Sequence, residues 1–256
     1  MASKPTIVIV PGSFSPALFY ELFITQLNDA GYPDVHFVEY PSIGRKDPAP
    51  AATMLDDAAA IHKAVESLAD EGRDILLIAH SYGGIPASES IRGLAKSQRE
   101  ADGKNGGIIR VLYATAIVPA VGESSSDIMS GDSVPPYLKI NGDYMWLEPI
   151  ENAQLNFSDL PYEEGFKWAK KAEEHSTISF TGALTYPGYK DVPVSYMYCE
   201  IDKTVPPEMQ QRFIQTIERD SGNSVDIHKV KTGHFAFLSQ PDIVIQVVRK
   251  ICGETV

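Results

Sequence analysis

Ser81 sits in the run Ala79-His80-Ser81-Tyr82-Gly83, directly after the apolar stretch Ile75 to Ala79 and directly before a helical pattern. A serine on so sharp a strand-to-helix turn is held in a strained backbone that lifts its Oγ clear of the strand ends. The close approach of strand and helix requires small residues two before and two after the serine, and Ala79 and Gly83 meet that requirement. A hydroxyl presented in this way is suited to nucleophilic catalysis once a base stands beside it. Its neighbour His80 is not that base, because adjacent side chains on a strand point to opposite faces; His80 reads as structural.

Holding such a turn calls for a sheet. Thr6 to Val10, Ile75 to Ala79 and Ile108 to Ala116 are continuous apolar runs of the kind found in strands buried on both faces. Val35 to Tyr40 and Val194 to Cys199 are shorter candidates, and Val225 to Val230 alternates like an edge strand. Helical patterns lie between them at Ala17 to Ala30, Met54 to Ala69, Tyr82 to Lys96, Pro207 to Arg219 and Asp242 to Ile251. Glycines 31, 72, 222 and 253 stand where helices stop. Strand alternating with helix predicts an α/β class, a doubly wound and mostly parallel sheet. The order breaks between Pro119 and Pro193, a stretch too long for a connecting loop and, with Trp146, Trp168 and several tyrosines, too apolar for a linker. The expected organisation is therefore a core of residues 1–118 and 191–256 with a cap insertion over 119–190.

Composition narrows the chemistry. The chain has 256 residues, room for one sizeable core but not for two average domains and a linker. With 43% hydrophobic and 22% charged residues it is an ordinary folded protein rather than a disordered one. Asp and Glu outnumber Lys and Arg by 34 to 22, giving a net charge of −12, and the basic residues are scattered, so nucleic acid and anionic membrane are poor partners. The run from Thr6 to Val10 is too short and too β-branched for a signal peptide or a membrane span. Cys199 and Cys252 form no disulfide framework and no zinc-type spacing, and neither do His36, His62, His175 and His228, so no metal is expected and a reducing, cytoplasmic setting fits.

The small-x-Ser-x-Gly form of Ala79 to Gly83, with a strand before it and a helix after it, resembles the nucleophile elbow of the α/β-hydrolase superfamily. That resemblance spans the full chain. It implies the order nucleophile, acid, base: Asp202, in Glu200-Ile201-Asp202-Lys203-Thr204-Val205-Pro206 after the Val194 to Cys199 run, matches the acid position, with Glu200 as its competitor. His234, in Thr232-Gly233-His234-Phe235 after Val225 to Val230, matches the base. Val10-Pro11-Gly12-Ser13-Phe14 stands in the place of the oxyanion loop, which assigns the backbone N–H groups of Ser13 and Tyr82 to the developing oxyanion; Pro11 departs from the usual histidine. Within the superfamily the chain is most similar to the small plant-type methylesterase and hydroxynitrile lyase branch and its microbial relatives. The lyases of that branch carry threonine at the position of Gly12 and lysine at that of Phe235, which places this chain on the esterase side.

The resemblance thus implies a serine hydrolase acting on a small-molecule ester or related acyl compound without cofactor or metal, with Phe14, Tyr144, Trp146 and Phe235 as candidate substrate-binding residues. For Tyr144 and Trp146 a place in the core of the cap is the competing reading. A lyase or cyclase on the same fold, and a receptor that keeps the triad, are the alternatives. A monomer and a homodimer both remain open.

Overall fold

The computed structural model describes residues 4–129 and 135–255. The first three residues and Val256 of the expected core, and residues 130–134 of the expected cap, lie outside the described residues.

In chain order the elements are β1 (Thr6–Val10), α1 (Glu21–Asp29), β2 (Val35–Phe37), α2 (Met54–Asp70), β3 (Asp74–His80), α3 (Gly84–Ser90), α4 (Lys96–Ala101) and β4 (Gly107–Ala114). They continue with α5 (Ser125–Met129), β5 (Leu138–Asn141), β6 (Tyr144–Leu147), α6 (Pro149–Leu155), α7 (Tyr162–Ala169) and β7 (His175–Ser176). The chain then returns through β8 (Val194–Cys199), α8 (Pro207–Ser221), β9 (Asp226–Val230), α9 (Ala236–Ser239) and α10 (Pro241–Ile251).

Six strands form one sheet in the order β2-β1-β3-β4-β8-β9, and every pairing in it is parallel. Alternate residues of each central strand feed separate cores. Val8, Leu77, Val111 and Tyr196 face one buried cluster, while Ile9, Ile78, Leu112 and Met197 face the other. Burial on both faces is why these strands read as unbroken apolar runs. Helix α2 packs on the first face through Met54, Ala58, Ile61 and Val65, which recur at helical spacing. It starts at a capping box in which Thr53 and Asp56 satisfy each other's backbone N–H groups.

Several expected elements are shorter or split, among them the strand expected over Val35 to Tyr40, which ends at Phe37. The helix expected from Tyr82 to Lys96 stops at Ser90 and resumes as α4, because Gly93 takes φ +74° in the turn between them. The pattern from Ala17 to Ala30 is a single 3₁₀ turn at Ala17–Phe19 followed by α1. The strand expected to reach Ala116 ends at Ala114, since Thr115 turns to φ 42° and points its hydroxyl at Asp202.

Between β4 and β8 the chain forms a second, antiparallel sheet, β5-β6-β7, together with α5, α6 and α7. Two rings of this segment, Phe157 and Trp168, meet Phe19 of the main core edge to face at 5.6 and 5.9 Å. Among the described residues no helix is long and apolar enough to cross a membrane, and both cysteines are free.

Candidate active site

At the end of β3 the backbone of Ser81 adopts φ 53°, a conformation costly for any residue but glycine. The strain is sustained because the turn is pressed between neighbouring loops. A Cβ on Gly83 would stand 2.4 Å from the carbonyl oxygen of Pro11, and one on Gly84 would stand 2.4 Å from that of Ile117. The requirement for small residues after the serine is thus a matter of direct backbone contact.

Ser81 Oγ lies 3.0 Å from His234 Nε2, and His234 Nδ1 lies 2.7 Å from Asp202 Oδ2. All three side chains are buried. This arrangement fixes the tautomer: Nδ1–H donates to the carboxylate, leaving Nε2 to accept the serine proton. Asp202 Oδ1 accepts from the backbone N–H groups of Thr204 at 2.7 Å and Val205 at 2.9 Å, while Oδ2 also accepts from the Thr115 hydroxyl. Burial by itself would raise the Asp202 carboxyl, but the charge and hydrogen bond of His234, with Thr115 and Val205, hold it below the usual carboxylate range. Glu200 is exposed at the end of β8 and is not the residue on the imidazole. The His234 loop is itself clamped by Asp159 from the 119–193 segment, which accepts from Gly233 N–H at 2.8 Å and Ser239 Oγ at 2.7 Å.

His80 points away from Ser81 Oγ, as the strand geometry requires. Its Nδ1 meets Tyr20 Oη at 2.8 Å, and its Nε2 donates to the carbonyl of His234 at 3.0 Å. Burial, reinforced by His234, drives its pKa down to about 3, so the ring is neutral. Tyr20 Oη accepts the Gly12 N–H at 3.0 Å. In this chain Tyr20 and His80 therefore brace the loop after β1 from within, where Pro11 offers no side-chain polar group.

On that same loop Gly12 N–H is taken by Tyr20 and Phe14 N–H by His175 Nδ1 at 3.3 Å. Among the described residues the N–H groups of Ser13 and Tyr82 have no acceptor. They are the pair assigned from the sequence.

The pocket over Ser81 has a volume of about 960 Å³ including its mouth. Phe14, Phe19, Phe157, Phe180 and Phe235 line it, together with Leu138 and Leu147 of the β5–β6 hairpin. Polar groups from Ser13, Tyr137, Asn152, Asn156 and Thr204 are set among them, and none of the described lining residues is Asp, Glu, Lys or Arg.

Phe14 and Phe235 lie where the sequence reading put them. Tyr144 and Trp146 do not. Side chains alternate across a strand, so Leu147 faces the pocket while Tyr144 and Trp146 face the other side of the hairpin. Tyr144 instead accepts the Lys46 N–H at 3.2 Å and carries the Arg45 guanidinium over its ring at 4.4 Å. Trp146 pairs with Lys139 across the hairpin and is half-buried. The pocket residues the sequence reading missed, among them Tyr137, Leu147 and Phe180, come from a turn and short elements whose facing cannot be read from local pattern.

A comparison with known proteins accords with this geometry. The sequence matches the family described as "Alpha/beta hydrolase family" over residues 7–247. The chain belongs to the alpha/beta hydrolase family. It is 34% identical over 251 residues to "Probable hydrolase R7" of Phoma sp., covering 98% of this chain and 99% of that one. Among solved structures it is similar to the pyrethroid hydrolase PytH, with a TM-score of 0.75 at 17% identity, covering 97% of this chain and 98% of the other. Polyneuridine aldehyde esterase is likewise similar, with a TM-score of 0.70 at 19% identity over 97% and 99% of the two chains. This alpha/beta hydrolase thus shares its fold with plant-type and microbial enzymes alike, and its family and relatives support hydrolase chemistry.

Proposed function

We propose that this alpha/beta hydrolase is a serine esterase that cleaves uncharged carboxylic esters carrying an apolar acyl or aryl group. The observation that carries this reading is the continuous line of hydrogen bonds from Ser81 Oγ through His234 to Asp202, at 3.0 and 2.7 Å. In this mechanism His234 Nε2 takes the proton as Ser81 Oγ attacks the ester carbonyl carbon. Asp202 keeps the imidazole oriented and stabilises the imidazolium. The unpaired N–H groups of Ser13 and Tyr82 receive the negative charge that grows on the carbonyl oxygen. The imidazolium then protonates the departing alkoxide, and water activated by the same ring releases the acid from the acyl-enzyme.

The substrate class follows from the lining of the pocket. A charged acyl group would have to shed its water with no opposite charge among the described lining residues to compensate. Aromatic rings on several sides favour an apolar group instead.

Cyanohydrin cleavage is disfavoured by two positions. A Cβ on Gly12 would stand 3.0 Å from both Ser81 Cβ and His80 Nδ1, so the hydroxyl-bearing residue of the lyases has no room without a shift. Phe235 is buried against Phe19, Tyr20, His80 and Phe157, and none of the described pocket-lining residues is a lysine or arginine that could hold cyanide. The test is a panel of chromogenic esters graded in acyl length, run beside a cyanohydrin and beside Ser81→Ala. Ester turnover lost in the variant supports the reading, and faster cyanide release than ester cleavage by the wild type overturns it.

A further inference from the structure

Behind the oxyanion loop lies a second buried polar cluster that the triad does not use. Asp57 is fully buried on α2, where it accepts from Ser42 N–H at 3.1 Å, Ser42 Oγ at 2.6 Å and Tyr82 Oη at 2.9 Å. Ser42 Oγ in turn faces His175 Nε2 at 3.2 Å, a nitrogen that also meets Ser179 Oγ at 2.9 Å. The other nitrogen of His175, Nδ1, accepts the N–H of Phe14. Donors and acceptors can be assigned in only one direction. Ser42 Oγ–H points to the carboxylate and Ser179 Oγ–H to the Ser176 carbonyl, so both hydroxyls accept from His175 Nε2–H, and Nδ1 is left as a bare acceptor. The result is a single polarised chain from the Asp57 carboxylate through Ser42 and His175 to the backbone of Phe14.

Both ends of that chain reach the oxyanion site. Phe14 holds φ 62°, and its peptide N–H is pinned by His175 while its carbonyl accepts from Glu173 N–H at 3.0 Å. That double grip fixes the turn that aims the Ser13 N–H. At the other end Asp57 holds the side chain of Tyr82, whose own backbone N–H is the second donor. Tyr82 is further stacked on Phe180 at 5.2 Å and meets His175 edge to face at 5.1 Å. Burial drives the His175 pKa down to about 3, which keeps Nδ1 free to accept.

We propose that Asp57, Ser42 and His175 are positioning residues for the oxyanion hole, tying the Ser13–Phe14 turn and Tyr82 to one buried carboxylate. The inference rests on the esterase reading above, and it assigns these residues a role in the transition state rather than in substrate binding.

The test uses Ser42→Ala and Asp57→Asn, which cut the chain with little change of volume, and His175→Phe, which keeps the aromatic contacts and removes the acceptor. The expected result is a fall in kcat of roughly tenfold or more with KM within about twofold, since losing an oxyanion donor outright costs about 100- to 1000-fold. Affinity for a trifluoromethyl ketone, which forms a tetrahedral adduct on serine, should weaken by the same factor as kcat/KM. Affinity for the unreactive planar amide of the same acyl group should not change. Combining Asp57→Asn with Ser42→Ala should cost little more than the worse single change, because the residues act as a unit. A lowered Tm with kcat and ketone affinity intact would overturn the proposal, as would parallel losses in KM and amide affinity. If one variant fails to fold, the milder Ser42→Ala decides. Full ester turnover in Ser81→Ala would instead overturn the esterase reading itself, which separates the two failures.

Discussion

Along the sheet, each group of the proposed catalytic machinery follows its strand by no more than four residues: Ser13 after β1, Ser81 after β3, Asp202 after β8 and His234 after β9. In the 119–193 segment Leu147 and Phe180, which line the pocket, and His175, which holds the loop after β1, come from a four-residue strand, a 3₁₀ turn and a two-residue strand, all short. A parallel sheet concentrates chemistry at its carboxyl edge whatever the loops do, because the strand ends are fixed by burial on both faces. The segment above has no such frame. Its side chains are aimed by contacts with residues far away in sequence, such as His175 with Ser42 and Phe14.

The largest effect that would sharpen this contrast comes from the sheet side. Ser81→Ala should lower ester turnover by on the order of 10⁴-fold or more, with the fold intact. A fluorophosphonate probe should label Ser81 in the wild type and nothing in the variant, as read by mass spectrometry. Labelling at another residue would move the chemistry off the strand end.

A smaller loss is expected at the first strand end. Gly12→Thr introduces a Cβ 3.0 Å from Ser81 Cβ and His80 Nδ1, and one of them must yield by a few tenths of an ångström. Misplacing the nucleophile costs up to about 100-fold, so a 10- to 100-fold drop in kcat is expected without gain of cyanide release. An unchanged kcat would mean that the loop after β1 is looser than its hydrogen bonds to Tyr20 imply.

A pH experiment separates the two regions by stability. Burial, only partly offset by hydrogen bonds from Ser42 and Tyr82, pushes the Asp57 carboxyl up to about 6 from its ordinary 3.8. The fold therefore favours the protonated form. The stabilising contribution is complete below about pH 4 and is lost as pH rises through 6. Relative to Asp57→Asn, wild type should lose about 3 kcal/mol across that window, at 1.36 kcal/mol per pH unit. His175, at about 3, stays neutral throughout, and the tyrosines beside Asp57, Tyr40 and Tyr82, have pKa values raised well above the ordinary one. Chemical denaturation of both proteins at pH 4 and pH 7 measures the difference. A constant difference would place the Asp57 carboxyl in a far wetter setting than its burial implies.

How much of this was legible in the sequence follows the same division. The sheet, the elbow and the order of Ser81, Asp202 and His234 could be read because apolar runs mark strands and small residues mark the turn. His175 could not, since no motif surrounds it and the partners that tie it to the site, Ser42 and Phe14, lie more than a hundred residues away. Asp57 leaves a trace in the sequence. It lies on the stripe of Met54, Ala58, Ile61 and Val65 that α2 buries, and a carboxylate on an apolar stripe must have partners waiting for it. Its neighbour Asp56, by contrast, caps the helix. For Tyr144 and Trp146 the sequence left pocket lining and cap core both open, because the hairpin's facing depends on register, and register is a property of two strands together.

The smallest effect tests that last point directly. On β6 Leu147 faces the pocket and Trp146 faces away, pairing with Lys139 across the hairpin. If facing decides specificity, Leu147→Ala should change the preference among esters of graded acyl length by roughly tenfold, within the 1 to 3 kcal/mol that a pocket methylene or two can discriminate. Trp146→Ala should leave the same ratios within about twofold and lower Tm instead, because the larger side chain then serves packing alone. The comparison is made on relative kcat/KM across the ester panel, with Tm for both variants. A shift in preference at Trp146 as large as that at Leu147 would mean that the hairpin turns its other face to the substrate, and that size rather than strand alternation governs which aromatic of this segment meets the acyl group.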